Sequence, residues 1–223
     1  MAAAAAAAEP GTGPAPSTPG TPMSRAAAIA AFTAPGMPHA LVDGVALGRA
    51  VRIFANAPAS LRVLFESTAS ALPFLVYEDE RLSFAEAWDA ASRIGHLLVQ
   101  RFGVRQGDRV AIAMRNYPEW VLAFMAITAV GGIAVAMNAH WQADELAYGL
   151  SDCGARLLLA DRERLAHVAR MPPVPGLQVL GVRADALPAG ALDLRTLTDA
   201  LGAVPMPPAD IAPDDPATIL YTS

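Results

Sequence analysis

The groups in this chain that could do chemistry are a few hydroxyls, carboxylates, four imidazoles and one thiol. Asp214-Asp215-Pro216 makes a turn, and Thr218-Ile219-Leu220-Tyr221 is a β-branched, apolar run that reads as a buried strand. Thr222 and Ser223 then set two hydroxyls at the carboxyl end of that strand. In open α/β sheets ligands sit at that end, where a continuing loop can wrap a phosphate with backbone N–H groups. Taken alone, the same residues are also an ordinary strand end. His39, His96, His140 and His167 share no metal-ligand spacing, and surface or structural roles are expected for them. His140-Trp141 falls in a loop after a strand, within reach of a ligand, although a packed tryptophan is the simpler reading. Glu78, Asp79 and Glu80 read as a solvated hairpin tip and not as a paired acid and base. Cys153, beside Gly154, reads as a small buried residue. As the single cysteine it excludes an internal disulfide and points to a reducing compartment, the cytoplasm.

Composition narrows the chemistry further. All sixteen basic residues are arginine, so a phosphate-binding or Schiff-base lysine is excluded within these 223 residues. The net charge is −5 and no basic stripe exists, which argues against a nucleic-acid partner.

The hydroxyls need a scaffold, and the sequence supplies one from Ser83 onward. Ser83-Phe84-Ala85-Glu86 is a capping box, behind which Ala87, Trp88, Ala91, Ile94, Leu98 and Phe102 share a helical face up to Gly103. Trp88 and Trp120 read as core anchors. Arg109 to Met114 has the apolar continuity of a buried parallel strand. A helix from Trp120 to Val130 is broken by Gly131-Gly132, and a strand follows over 133–137. Residues 120–137 carry no charge and raise the question of a membrane span. The double glycine, the β-branched second half and the absence of basic flanks favour a buried helix, turn and strand. A helix over 144–150, a strand over 156–160, a helix capped by Asp161, a strand over 177–182 and a short helix around 192–201 complete the run. This alternation calls for a mostly parallel sheet with helices on both faces. The glycine fingerprint of dinucleotide folds is missing, since Gly131-Gly132 has no third partner.

Upstream, residues 74–77 and 81–82 predict a small hairpin turned at Glu78-Asp79-Glu80. Asn56-Ala57-Pro58 reads as a helix entry, and 41–56 as an irregular surface segment. Residues 1–40 read as a tail without order, because an alanine run and a Pro/Gly/Thr/Ser stretch cannot offset their ordering entropy. A start of translation at Met23 or Met37 is an accompanying expectation.

Several blocks, in order, resemble the adenylate-forming (AMP-binding) acyl-CoA synthetase family. They are Leu82-Ser83-Phe84-Ala85-Glu86, Gly107-Asp108-Arg109-Val110-Ala111-Ile112 and Asn116-Tyr117-Pro118-Glu119-Trp120, followed by the block from Ala129 to Asn138. Asp144-Glu145-Leu146, Leu157 to Asp161 and Asp215 to Ser223 continue the series. The resemblance implies a partial AMP-binding domain over 41–223, the amino-terminal half of the family's large domain, ending at the entry to the phosphate loop. It implies that Thr222 and Ser223 begin the cradle for ATP phosphates. It implies a carboxylic acid as substrate, a fatty acid with an aryl acid as the open alternative, together with ATP, Mg2+ and coenzyme A. The remainder of the phosphate loop and the family's small lysine-bearing domain would lie beyond Ser223, so the chain alone is expected not to form an adenylate. A non-catalytic interaction module or decayed gene product of the same fold is the alternative. An unrelated nicotinamide-dependent oxidoreductase is disfavoured by the missing glycine fingerprint.

Overall fold

The computed structural model describes residues 23–221, and the chain divides into two compact units between Ala57 and Pro58. The first contains α1 (Arg25–Phe32), whose start is capped by Ser24; the Ser24 hydroxyl accepts from the Ala27 N–H at 3.2 Å. This helix lies inside the stretch that composition predicts to lack order. The cap and the alanine-rich sequence that follows it are strong local helix signals. Residues 1–22 of that tail lie outside the described residues. β1 (Leu41–Ala46) and β2 (Arg49–Phe54) then form an antiparallel hairpin, with Leu41 opposite Phe54 and Ala46 opposite Arg49. This corrects the expectation of an irregular segment. Leu47 and Gly48 both have positive φ, 50° and 73°, the two-residue turn that matches the twist of a hairpin. Leucine in the first of those positions hides the signal.

The second unit starts with α2 (Leu61–Ser67), capped by Ser60 and not entered at Asn56-Ala57-Pro58. β3 (Pro73–Tyr77) and β4 (Glu80–Ser83) are the expected hairpin. α3 (Phe84–His96) opens with the expected capping box: the Ser83 hydroxyl accepts from the Glu86 N–H, and the Glu86 carboxylate accepts from the Ser83 N–H. Its last turn widens into a π-helical segment over Leu97–Arg101 before Gly103, at φ +67°, releases the chain.

β5 (Arg109–Ala113), α4 (Pro118–Ala129), β6 (Ile133–Ala136), α5 (Ala143–Cys153), β7 (Leu157–Asp161), α6 (Arg162–Val168), β8 (Gln178–Val182), β9 (Leu192–Asp193), α7 (Leu194–Asp199) and β10 (Thr218–Leu220) follow. Six strands form one parallel sheet in the order β10-β6-β5-β7-β8-β9. Alternate residues of the central strands feed two separate cores. Val110, Ile112, Leu157 and Leu159 pack on one side with Ala87, Ala91 and Ile94 of α3 and Leu122 and Ala126 of α4. Ala111, Ala113, Leu158 and Ala160 pack on the other with Leu146 and Leu150 of α5 and Leu165 of α6. A strand buried on both faces must be apolar throughout, which is why β5 and β7 read as continuous apolar runs. Trp88 and Trp120 pack against the first core. Among the described residues no helix is long and apolar enough to cross a membrane.

Two expectations need correction. β10 is not a buried strand: it pairs only with β6 among the described residues, and Leu220 is 71% exposed. An edge position leaves one flank open, whatever the β propensity of the sequence. Cys153 is only partly buried, at the end of α5, where its thiol donates to the Leu150 carbonyl.

Candidate functional site

Because the strands are parallel, the chain leaves β5, β6, β7, β8 and β10 at one common edge of the sheet. Asp161, the last residue of β7, organises this edge. It caps α6 by accepting the Arg164 N–H at 3.0 Å, and it accepts the Arg115 N–H from the loop after β5 at 2.9 Å. The Arg164 guanidinium returns to the Asp161 carboxylate at 3.1 Å, and its Nε donates to the Ala139 carbonyl in the loop after β6 at 3.0 Å. One buried ion pair thus braces the loops after β5 and β6 against the β7–α6 junction. Asp161 is 2% and Arg164 4% exposed, so neither charge is hydrated; Arg164 is the only ion-pair partner of Asp161 among the described residues, while Arg164 also donates to Glu163 at 2.6 Å.

Beside this brace lies a shallow pocket of about 430 Å³ between Tyr77, Arg115, Asn116, Tyr117, Ala139 and His140. Each of its polar side chains can donate a hydrogen bond, and Arg115, half exposed and 3.7 Å from Glu163, is its one fixed cation. Such a set can hold an anionic or carbonyl-bearing group, and it contains no carboxylate–imidazole or nucleophile–base pair. The His140 loop is shaped by Asn138, whose side-chain oxygen accepts the His140 N–H at 2.9 Å. Trp141 is packed, as expected: its ring meets Tyr221 edge-on at 5.2 Å and closely covers Gly149 of α5.

Thr222 and Ser223, the two hydroxyl residues expected to begin a phosphate cradle, lie outside the described residues. The strand leading to them is described. Ile219 lies opposite Val135 of β6, and the Tyr221 hydroxyl donates to Asp152 Oδ2 at 2.7 Å and contacts the Gly149 carbonyl at 3.1 Å. Burial, helped by the Asp152 carboxylate, raises the Tyr221 pKa above its ordinary value, so the phenol stays protonated and acts as a clamp on α5.

Arg183, just after β8, was not singled out by the sequence. Its Nη1 and Nη2 each donate to Glu80 at 2.7 Å, and its Nε donates to Glu119 at 2.9 Å. The guanidinium also stands 5.1 and 5.2 Å from the ring centres of Tyr77 and Tyr117. Glu80 is therefore engaged, and only Glu78 and Asp79 of that trio make the hairpin turn, with Glu78 at φ +48°. The Arg183 hydrogen bonds hold the Glu80 pKa below its ordinary value. The sign follows: the stabilisation is complete above the ordinary carboxylate pKa and is lost as pH falls through the lowered one. Glu80→Gln should lower stability by about 1 kcal/mol or less near neutral pH, because Glu80 is half exposed. The difference from the parent should shrink as pH falls through the lowered Glu80 pKa, as read from urea midpoints at neutral and progressively more acid pH.

Arg183 is not legible in the sequence because its partners Glu80 and Glu119 are distant along the chain, and for Arg164 the same holds of its contact with Ala139. A partial signal exists for Arg164, which sits at the third helical position after the Asp161 cap, where a capping box would carry Glu or Gln.

Residues 65–223 match the family described as AMP-binding enzyme. The medium/long-chain-fatty-acid–CoA ligase FadD6 of Mycobacterium tuberculosis is 34% identical over 117 residues, covering 51% of this chain and 19% of the relative. The 3-hydroxybenzoate–CoA/4-hydroxybenzoate–CoA ligase of Thauera aromatica is 32% identical over 152 residues, covering 65% of this chain and 28% of the relative. The crystal structure of the anthranilate CoA ligase AuaEII in complex with anthranoyl-AMP superposes with a TM-score of 0.68 at 23% identity. That match covers 76% of this chain and 33% of the other, a likeness of fold. The matched stretch spans a third or less of the length of each of these proteins.

Proposed function

The chain belongs to the AMP-binding enzyme family, and we propose that it is the amino-terminal part of an acid–thiol ligase that makes acyl-CoA thioesters. In the first step a carboxylate oxygen attacks the α-phosphorus of ATP. The bond to the bridging oxygen breaks, and pyrophosphate leaves an acyl-adenylate. In the second, the sulfur of coenzyme A attacks the acyl carbon, a thioester forms, and AMP departs with the original carboxylate oxygen. An anion must approach a polyanion, so the barrier is lowered chiefly by donors aimed at the phosphates.

The observation that carries this reading is the parallel pairing of β10 with β6, because it brings Tyr221 to the carboxyl edge of the sheet, where phosphate loops begin. Thr222 and Ser223 are the proposed first donors of the ATP phosphate loop. The donor character of Arg115, Asn116 and His140 on the same edge fits a polar, anionic ligand. Mg2+ enters this proposal as part of the Mg–ATP substrate. Among the described residues there is no group of three His, Cys, Asp or Glu side chains that could hold a metal ion.

A fatty acid is the proposed substrate class, since the more similar of the two sequence relatives above is named for medium- and long-chain fatty acids. The cytoplasm is the proposed compartment, in keeping with the single cysteine. The 223-residue chain by itself is proposed to be inactive. The test is ATP–pyrophosphate exchange by the full-length protein with octanoate, palmitate and 4-hydroxybenzoate. Exchange stimulated at least about tenfold more by a fatty acid than by the aryl acid is expected, corresponding to about 1.4 kcal/mol of discrimination. Preference for the aryl acid would reassign the substrate, and exchange by the 223-residue chain alone would refute its inactivity.

A further inference from the structure

An open cleft of about 970 Å³ lies between α3, α4 and α7, next to the end of β8. In sheet order it is separated by β5 and β7 from the β6–β10 edge discussed above. Its lining includes the buried apolar residues Ile94, Leu122 and Leu194, which are 4%, 6% and 4% exposed. The charges around it are mostly used. Arg183 is held by Glu80 and Glu119, Arg195 pairs with Asp199 at 3.5 Å, and Asp185 pairs with Arg162. Asp193 caps α7, accepting both the N–H and the hydroxyl of Thr196 at 2.7 Å. Among the described residues, Arg93 is the one arginine of the lining without an ion pair. Asp89, one turn earlier on α3, makes no ion pair with it within 4.0 Å and faces a neighbouring hollow shared with Arg93.

We propose that this cleft binds a monoanionic carboxylate with an apolar body, the Arg93 guanidinium holding the carboxylate and the hydrocarbon lying along Ile94, Leu122 and Leu194. A guanidinium matches a carboxylate with two parallel donors, and the volume is that of a small-molecule site. The lining sets three arginines against four carboxylates, Glu80, Glu119, Asp185 and Asp193. A multiply charged phosphate is therefore repelled, while a single carboxylate is accommodated at the one unpaired cation. The site is independent of the adenylation reading, since it shares none of the residues assigned to that reaction.

The test is hydrogen exchange of the full-length protein titrated with octanoate, with inorganic phosphate as the control. Octanoate should slow exchange in segments 89–98 and 192–199, and phosphate should not. Arg93→Met should weaken this protection at least about tenfold, the loss of a charge-assisted pair, while Arg93→Lys restores part of it. Ala90→Leu, which narrows the cleft without touching Arg93, should weaken it as well. Acid-dependent ligation should stay within about twofold in all three variants. No protection of these segments, equal protection in Arg93→Met and Ala90→Leu, or protection confined to 115–117 and 138–142 would overturn the proposal.

Discussion

Arg164→Met is expected to destabilise the second unit by about 3–5 kcal/mol, the cost of leaving a buried charge without its partner. The methionine fills similar volume, so the loss is electrostatic and not a cavity. Asp161 would keep the Arg115 and Arg164 N–H donors but lose the only guanidinium within 4.0 Å among the described residues. The Ala139 carbonyl would lose its Arg164 donor at the same time. Because the loops after β5 and β6 are tied to the β7–α6 junction through this pair, the substitution should loosen the carboxyl edge before the sheet. Urea unfolding supplies the magnitude, and hydrogen exchange in 114–117 and 138–141 reports the loosening. A shift below about 1 kcal/mol would place the pair with ordinary surface bridges and remove its organising role.

The second large effect is catalytic. Thr222→Val combined with Ser223→Ala should slow acid-dependent ATP–pyrophosphate exchange by about 10²-fold or more in the full-length protein, the usual cost of removing donors aimed at developing charge. Thermal stability should change little. The apparent KM for the acid should also stay near the parent value, because these hydroxyls are proposed to face phosphate and not the acyl chain. A rate within about threefold of the parent would return both residues to the status of an ordinary strand end.

The legible parts of the fold were those fixed by local chemistry. The Ser83–Glu86 capping box, the apolar runs of β5 and β7 and the Asp161 cap each carry their signal within a few residues. The β1–β2 hairpin was hidden because Leu47 occupies a positive-φ turn position that Asn, Asp or Gly normally announces. The exposure of β10 depends on which strands flank it, and that is a tertiary property. The candidate site divides in the same way. His140 and its loop could be named from the alternation of strand and loop. Arg183 could not, since its carboxylate partners are 64 and 103 positions away, nor could the Arg164 contact with Ala139, 25 positions back. Side chains that join distant loops leave no periodic trace.

On the proposed function the complete protein activates a carboxylate through its own adenylate. Full-length protein supplied with ATP, coenzyme A and octanoate labelled with oxygen-18 in both carboxyl oxygens tests this directly. One labelled oxygen in the AMP phosphate is expected for every thioester formed, because the attacking carboxylate oxygen stays on phosphorus when the thiol displaces AMP. Thioester formed with unlabelled AMP, or with ADP and labelled inorganic phosphate, would contradict it.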